Sequence, residues 1–194
     1  MGTGNSKQKE NISETRHNVE TGLSSSVVSY NDNISKKDIK KNLKFESFNK
    51  IMLDCHNEYR KKHSSQELNI EYKLCEKAKE YAKNLLETNF NCEQNLLYDG
   101  HIVGENIFIS DKEEKGEDIC KYWYEEKNNY DHEINKFQKG TNNYTQLIWS
   151  STSKVGFGHF NKDKKYCYVA LYYPAGNIFG QFTMNVHESL AKKI

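Results

Sequence analysis

Arginine is nearly absent from the 194 residues: two Arg stand against 26 Lys, and 27 acidic side chains bring the net charge to about +1. Arg is the side chain that makes bidentate contacts with phosphates and base edges. With so few of them, and no net field to attract a polyanion, nucleic acid is excluded as a partner. Long apolar runs are missing too. Only 36% of the residues are hydrophobic, whereas a membrane span needs roughly 20 predominantly apolar residues in a row, so no transmembrane anchor is expected. Residues 1–44 offer no longer aliphatic run than Val27-Val28, well short of the apolar core of about 7–15 residues that a secretory signal requires. The expectation is a soluble chain made in the cytosol, with export by another route as the alternative. Metal-knuckle spacings are lacking as well. The five cysteines, Cys55, Cys75, Cys92, Cys120 and Cys167, contain no CxxC pair and are odd in number. Reduced, structural thiols are expected, with a reactive thiol as the alternative reading.

Aromatics divide the chain. Residues 1–44 hold Tyr30 as their one aromatic, no Cys, and many Ser, Asn, Lys and Glu. Such a segment buries too little apolar surface to offset its ordering entropy and is expected to be disordered. Residues 45–194 hold both Trp, all five Cys and 12 of the 13 Tyr. That length is one domain, large enough to bury about 68–70% of its unfolded surface.

Within the domain, Phe48, Ile51, Met52, Cys55 and Tyr59 recur at helical spacing and predict a helix over 46–62. Leu74, Ala78, Tyr81, Ala82 and Leu85 do the same for 74–88, and Ile119, Cys120, Trp123 and Tyr124 for 117–129. Leu68-Asn69-Ile70 suits a short strand, 89–104 reads as loop, and 128–143 is polar and turn-rich. Val155–Phe160 and Tyr166–Tyr172, rich in aromatic and β-branched residues, read as strands joined by a turn over 161–164. Helices early and antiparallel strands late make the fold class α+β.

Five motifs then line up in order: His56-Asn57-Glu58-Tyr59-Arg60; Gly104-Glu105-Asn106-Ile107-Phe108; Trp123-Tyr124-Glu125-Glu126 with Tyr130-Asp131; Gly140–Trp149, which contains Thr145-Gln146; and Tyr172-Tyr173-Pro174-Ala175-Gly176-Asn177. Across residues 46–182 this set resembles the CAP superfamily, whose members include cysteine-rich secretory proteins, antigen-type venom allergens and pathogenesis-related proteins. The resemblance implies an α-β-α sandwich, an antiparallel sheet held between helices. Each motif also has a structural reading. His56 and Arg60 are i,i+4 neighbours that anchor a helix by hydrogen bonds, Tyr59 and Trp149 are core aromatics, and Pro174–Asn177 is a turn.

The resemblance further implies a cleft built from two Glu and two His. Glu105 and Glu126 match the two carboxylates. Asn143 stands where one His is expected, and the other falls at Glu93 or Gln94. His101 and His132 are the remaining imidazoles that could stand in. Carboxylates without imidazoles make a poor zinc site, so neither a metal nor another cofactor is expected. Crowding of Glu93, Glu105 and Glu126 would raise one carboxyl pKa. Cys55 and His56 are consecutive on a helix and point about 100° apart, so they form no nucleophile–base pair. No catalytic residue is assigned. A metal-dependent hydrolase or protease using Glu105 and Glu126 is kept as an alternative.

Met1-Gly2-Thr3-Gly4-Asn5-Ser6 fits the N-myristoylation pattern, with the lipid on Gly2. One myristoyl chain binds membranes marginally, so a second signal is expected. Lys36, Lys37, Lys40, Lys41 and Lys44 supply it as an attraction to anionic lipid. A myristoylation signal with few disulfide-forming cysteines resembles the intracellular branch of the family, represented by the Golgi-associated plant-pathogenesis-related protein. That branch implies a place on the cytosolic face of a membrane, binding of acidic lipids and self-association as a homodimer. A secreted CAP protein is the third reading. The sequons at Asn11, Asn33 and Asn143 would then be glycan acceptors, the last of them obstructing the cleft.

Overall fold

The computed structural model describes Met1 and residues 36–90, 96–134 and 136–190; the readings on Gly2, Glu93, Gln94 and Cys92 lie outside the described residues. From Lys36 onward the chain forms one compact unit. It opens with helix α1 (Lys36–Lys62), which begins ten residues before the predicted start. Residues 36–44, expected to be disordered, are its first turns, so the folded part begins earlier than residue 45. The helix formers Lys and Leu43 carry the helix on from the next segment, with no Pro or Gly to stop it.

Strand β1 (Asn69–Ile70) follows, then α2 (Tyr72–Glu87), whose buried residues include the predicted stripe Leu74, Ala78, Tyr81, Ala82 and Leu85. The predicted loop at 89–104 contains a small hairpin, β2 (Leu97–Tyr98) and β3 (His101–Ile102), turning on Asp99 and Gly100 at φ +49° and +79°. Both turn residues lie in the left-handed region that a tight primed turn requires. Strand β4 (Gly104–Ser110) leads to α3 (Gly116–Glu125), which is continued by a 3₁₀ turn over Glu126–Asn129. Helix α4 (Asn142–Ile148) was not visible in the hydropathy pattern: Tyr144 to Ile148 are all buried, so no period distinguishes its faces. Strands β5 (Lys154–Lys162) and β6 (Lys165–Tyr173) form the predicted hairpin, and α5 (Phe182–Asn185) closes the described part.

The main sheet runs β1-β5-β6-β4, antiparallel except that the short edge strand β1 lies parallel to β5. Alternation along β6 assigns its two faces. Tyr168, Ala170 and Tyr172 join a core with α1, α3 and α4; Cys167, Val169 and Leu171 join a second core with α2. The result is the implied α-β-α sandwich. Helix α2 sits very close to β5, because Gly156 and Gly158 have no side chain. A Cβ on Gly158 would lie 2.1 Å from the Lys79 backbone nitrogen, a contact no structure tolerates.

The deepest face of α1 is polar. Asn49, His56 and Arg60 are buried along with Met52, as is His63 just past the helix end, while the predicted apolar residues Phe48, Ile51, Cys55 and Tyr59 are half-buried beside them. Arg60 is fully buried without a carboxylate. Its Nε donates to Gln66 O, Nη1 to Leu147 O and Trp149 O, and Nη2 to Thr152 O, at 2.8–3.0 Å. Burial pulls its pKa down to about 10, so it stays charged at neutral pH, and the four carbonyl dipoles take the place of water. His56 Nδ1–H donates to Met52 O at 2.7 Å, so its Nε2 accepts from the Tyr172 hydroxyl at 2.8 Å. Asn106 Nδ2 donates to the same hydroxyl at 3.1 Å and to Asn143 O at 3.0 Å. His63 is fixed likewise, between His187 O and the Tyr124 hydroxyl.

Two predictions follow from this polar seam. Arg60→Lys leaves two or three buried carbonyls unpaired, each at a cost of about 1–3 kcal/mol, so urea unfolding should show a loss of roughly 3–6 kcal/mol. The second concerns pH. Burial lowers the pKa of His56 to about 3 and of His63 to about 4, from 6.5. The unfolded chain therefore binds more protons than the native one once the pH falls below about 6.5, and stability falls with pH through that window. Each His contributes a slope of up to about 1.4 kcal/mol per pH unit between pH 6 and 4. Urea midpoints measured at pH 7.5, 6, 5 and 4.5 should fall steadily, and His63→Gln should shallow the slope.

Candidate functional site

Three of the motif segments meet on α4. The Gln146 carboxamide accepts from Gly176 N–H at 2.8 Å and donates to Thr152 Oγ1 at 3.3 Å, and Thr152 Oγ1 donates to Pro174 O at 2.9 Å. A Cβ on Gly104 would fall on that carboxamide, and one on Gly176 would press it from the other side. Glycine is therefore required at both positions, by space rather than by conformation. Thr145 Oγ1 donates to Asn177 Oδ1 at 2.6 Å, and Asn177 Nδ2 donates to Asn142 O at 3.0 Å. Asn177 itself is at φ +57°, where Asn is one of the few residues that sits without strain.

These contacts wall an open depression of about 370 Å³, with Gly104, Glu105 and Ile102 on one side and Asn142, Gln146 and Asn177 on the other. Glu105, the second residue of β4, stands at the rim, paired in register with Leu171. Its side chain reaches solvent, yet the protein packed around it raises the carboxyl above the ordinary carboxylate range, opposed by a hydrogen bond from Tyr81.

Glu126 does something different. Its carboxylate accepts from Asn143 N–H at 2.8 Å, Tyr144 N–H at 3.1 Å and Asn143 Nδ2 at 2.6 Å. Thr141, the cap residue of α4, makes no side-chain cap bond. Glu126 takes that role from outside the helix, satisfying free N–H groups of the first turn. Asn143 completes the arrangement: an amide donates to the carboxylate through N–H, where an imidazole would offer a ring nitrogen.

The structure thus puts Glu105 in the wall of the depression that Asn142 also lines, and Glu126 on Asn143. His101 lies on β3, with Nδ1 2.8 Å from Asp99 O and its ring 6.3 Å from that of Tyr173. His132 packs edge-on to Tyr130, with Nε2 3.3 Å from the Tyr144 hydroxyl. It belongs to a separate pocket with His63. Among the described residues no group of three or more His, Cys, Asp or Glu is arranged to hold a metal ion. Sequence reasoning picked the charged cleft residues and missed the amides Asn142, Gln146 and Asn177, which shape the depression. The one available signal was that each falls inside a motif.

Lys36, Lys37, Lys40, Lys41 and Lys44 all lie on the first turns of α1. At about 100° per residue their positions fall within an arc of about 140°. Lys40 and Lys44 are exposed, and Lys44 pairs with Glu113 at 2.5 Å. No helix among the described residues is long and apolar enough to cross a membrane.

Comparison with known proteins agrees with this architecture. A family model described as CAP, cysteine-rich secretory protein family, matches residues 53–173, more than half of the chain. The human Golgi-associated plant pathogenesis-related protein 1 is 32% identical over 144 residues, which cover 73% of this chain and 93% of that protein. Protein PRY2 of Saccharomyces cerevisiae is 31% identical over 108 residues, 55% of this chain and 32% of that longer protein. Among solved structures, Schistosoma mansoni venom allergen-like protein 4 superposes with a TM-score of 0.60 at 23% identity, over 74% of this chain and 97% of that one. The motifs, the sandwich and these matches agree: the chain belongs to the CAP (cysteine-rich secretory protein) family.

Proposed function

We propose that this CAP domain is a non-enzymatic protein held at a membrane, where it binds anionic lipid, a protein partner or both. The observation that carries this reading is the lysine arc on α1. A disordered polybasic tail presents charge in all directions, whereas a helix gathers five Lys positions on one side, each worth about 1 kcal/mol near an anionic leaflet. Gly2, in its myristoylation pattern, supplies the hydrophobic anchor in this reading, and the name of the human relative places that protein at the Golgi. Exposed apolar side chains beside the depression, Ile102 and Ile178 together with Phe179 at 93% exposure, offer a contact surface for lipid or for a second copy of the chain in a homodimer. Against the hydrolase reading stands the chemistry of Glu126. With three hydrogen bonds already on its oxygens and an amide at 143, it is spent on capping α4.

The anchoring test compares myristoylated full-length chain with Gly2→Ala and with a variant in which the five Lys between 36 and 44 are Gln. Sedimentation with phosphatidylserine/phosphatidylcholine vesicles should show loss of membrane binding for Gly2→Ala. The Lys variant should bind at least about 10-fold more weakly on anionic but not on neutral vesicles, and wild-type binding should weaken in high salt. Unchanged pelleting of Gly2→Ala would overturn the anchor, and salt-independent binding would overturn the role of the lysines. Zinc titration by calorimetry tests the cleft. No one-to-one binding is expected for wild type or Glu105→Gln, and tight binding abolished by Glu105→Gln would restore the hydrolase.

A further inference from the structure

Helices α1 and α3 meet in register, one turn at a time. At the first step Gly116 lies against Ile51 and Met52, so closely that a Cβ would be 2.9 Å from Ile51 Cγ2 and 3.1 Å from Met52 Sδ. Two turns further along, Tyr124 stacks on Tyr59 with ring centroids 3.9 Å apart. Midway between, four residues from each, stands Cys120. Its Sγ is 3.1 Å from His56 Nδ1, 3.7 Å from Met52 O and 3.9 Å from Met52 Sδ. Opposite it on α1, three residues from Met52 and four from Tyr59, Cys55 packs against the same core cluster that holds Cys120.

The two cysteines differ in kind. Cys120 is fully buried and Cys55 half-buried, and both are free thiols. A hydrogen bond from Cys120 lowers the Cys55 pKa despite burial and the nearby Glu117, Glu58 and Asp54, whereas burial raises Cys120 well above the ordinary thiol range and pushes Cys75 up to about 11. Sequence spacing hid this arrangement. Cys55 and His56 do point apart, but the thiol that meets His56 comes from another helix.

We propose that Cys55 and Cys120 form a peroxide-reactive dithiol, a modification site that closes reversibly to an α1–α3 disulfide. In the first step the Cys55 thiolate attacks hydrogen peroxide. An S–O bond forms, the O–O bond breaks, and the departing hydroxide takes up a proton to leave as water. The sulfur loses two electrons and becomes a sulfenic acid. In the second step Cys120 sulfur attacks that sulfur. The S–S bond forms, the S–O bond breaks, and the hydroxyl leaves as water with the Cys120 proton. Overall, two thiols and one hydrogen peroxide give one disulfide and two waters. His56 positions the second sulfur. Its Nδ1–H, already aimed at Met52 O, lies within reach of Cys120 Sγ and steadies the charge that sulfur gains as it loses its proton. Gly116, with no side chain, lets α3 pack closely on α1 one turn before Cys120.

The test oxidises reduced full-length protein with hydrogen peroxide and follows it by intact mass and non-reducing peptide mapping. The expected product has lost two hydrogens, carries a Cys55–Cys120 cross-link and returns to the starting mass with dithiothreitol. Cys55 should react at least about 10-fold faster than Cys75. Cys120→Ser should stop at a Cys55 sulfenic acid that dimedone traps, and Cys55→Ser should give no dimedone adduct at Cys120; circular dichroism checks that both variants are folded. A cross-link to Cys75, Cys92 or Cys167 instead would overturn the proposal. So would wild-type Cys55 that remains dimedone-reactive or passes to sulfinic acid, because Cys120 would then not resolve it. The wild-type map decides the matter even if a variant fails to fold.

Discussion

The guanidinium of Arg60 is the constraint on which the rest of the structure depends. It is a full positive charge in a dry interior, and it is met by backbone rather than by a carboxylate. Its four bonds reach the loop after α1, the end of α4 and the segment that enters β5. Leu147 O is one of the last carbonyls of a short helix, and Trp149 O, which also accepts from Thr152 N–H, belongs to the turn that follows it. One side chain therefore ends α4, shapes the turn after Trp149 and fixes α1 against both. A buried ion pair would have required a second desolvated charge; carbonyl dipoles need none. The rigid fork of Arg, with its planar set of donors, suits that task as Lys does not. In a chain with two Arg, one is committed here.

This dependence explains which parts of the fold were legible in sequence. Helix α2 and the β5–β6 hairpin bury ordinary aliphatic and aromatic side chains, and their periodicity located them within a few residues. Helix α1 was found but turned. Hydropathy put Phe48, Cys55 and Tyr59 inward, while the fully buried positions are their neighbours Asn49, His56 and Arg60. Polar groups can occupy the deepest face because Arg60 finds its partners outside α1 and His56 finds one of its two, the Tyr172 hydroxyl, on β6, and most of that pairing spans sequence distances invisible to a local pattern. Helix α4 was missed for the opposite reason, being buried on every side. The early turns of α1 were missed because composition alone treats a lysine-rich stretch as solvated chain, whether or not it is helical.

The resemblance names Glu105, Glu126 and Asn143 together as cleft residues, and nothing in the sequence separates their roles. Glu105 and Glu126 look equivalent as two carboxylates in two motifs. Register and hydrogen bonding separate them: one stands at the rim with its proton affinity raised, the other is held by three donors on α4. The departure at Asn143 is the hinge of that difference. A side-chain amide can give a hydrogen to Glu126 while its own N–H does the same, so the substitution strengthens a cap at the position where an imidazole would have served a ligand set.

A single hydrogen-bonded line joins these regions. From Met52 O it passes through His56 to the Tyr172 hydroxyl, then through Asn106 to the carbonyl of Asn143, whose own N–H is held by Glu126. Each member is fixed in donor direction by the one before it, because His56 must carry its proton on Nδ1 to satisfy Met52 O. The line begins in the turn of α1 that touches Cys120 and ends at Asn143, the residue after Asn142 in the wall of the depression. The α1–α3 contact and the first turn of α4 are therefore joined by hydrogen bonds of set direction as well as by packing.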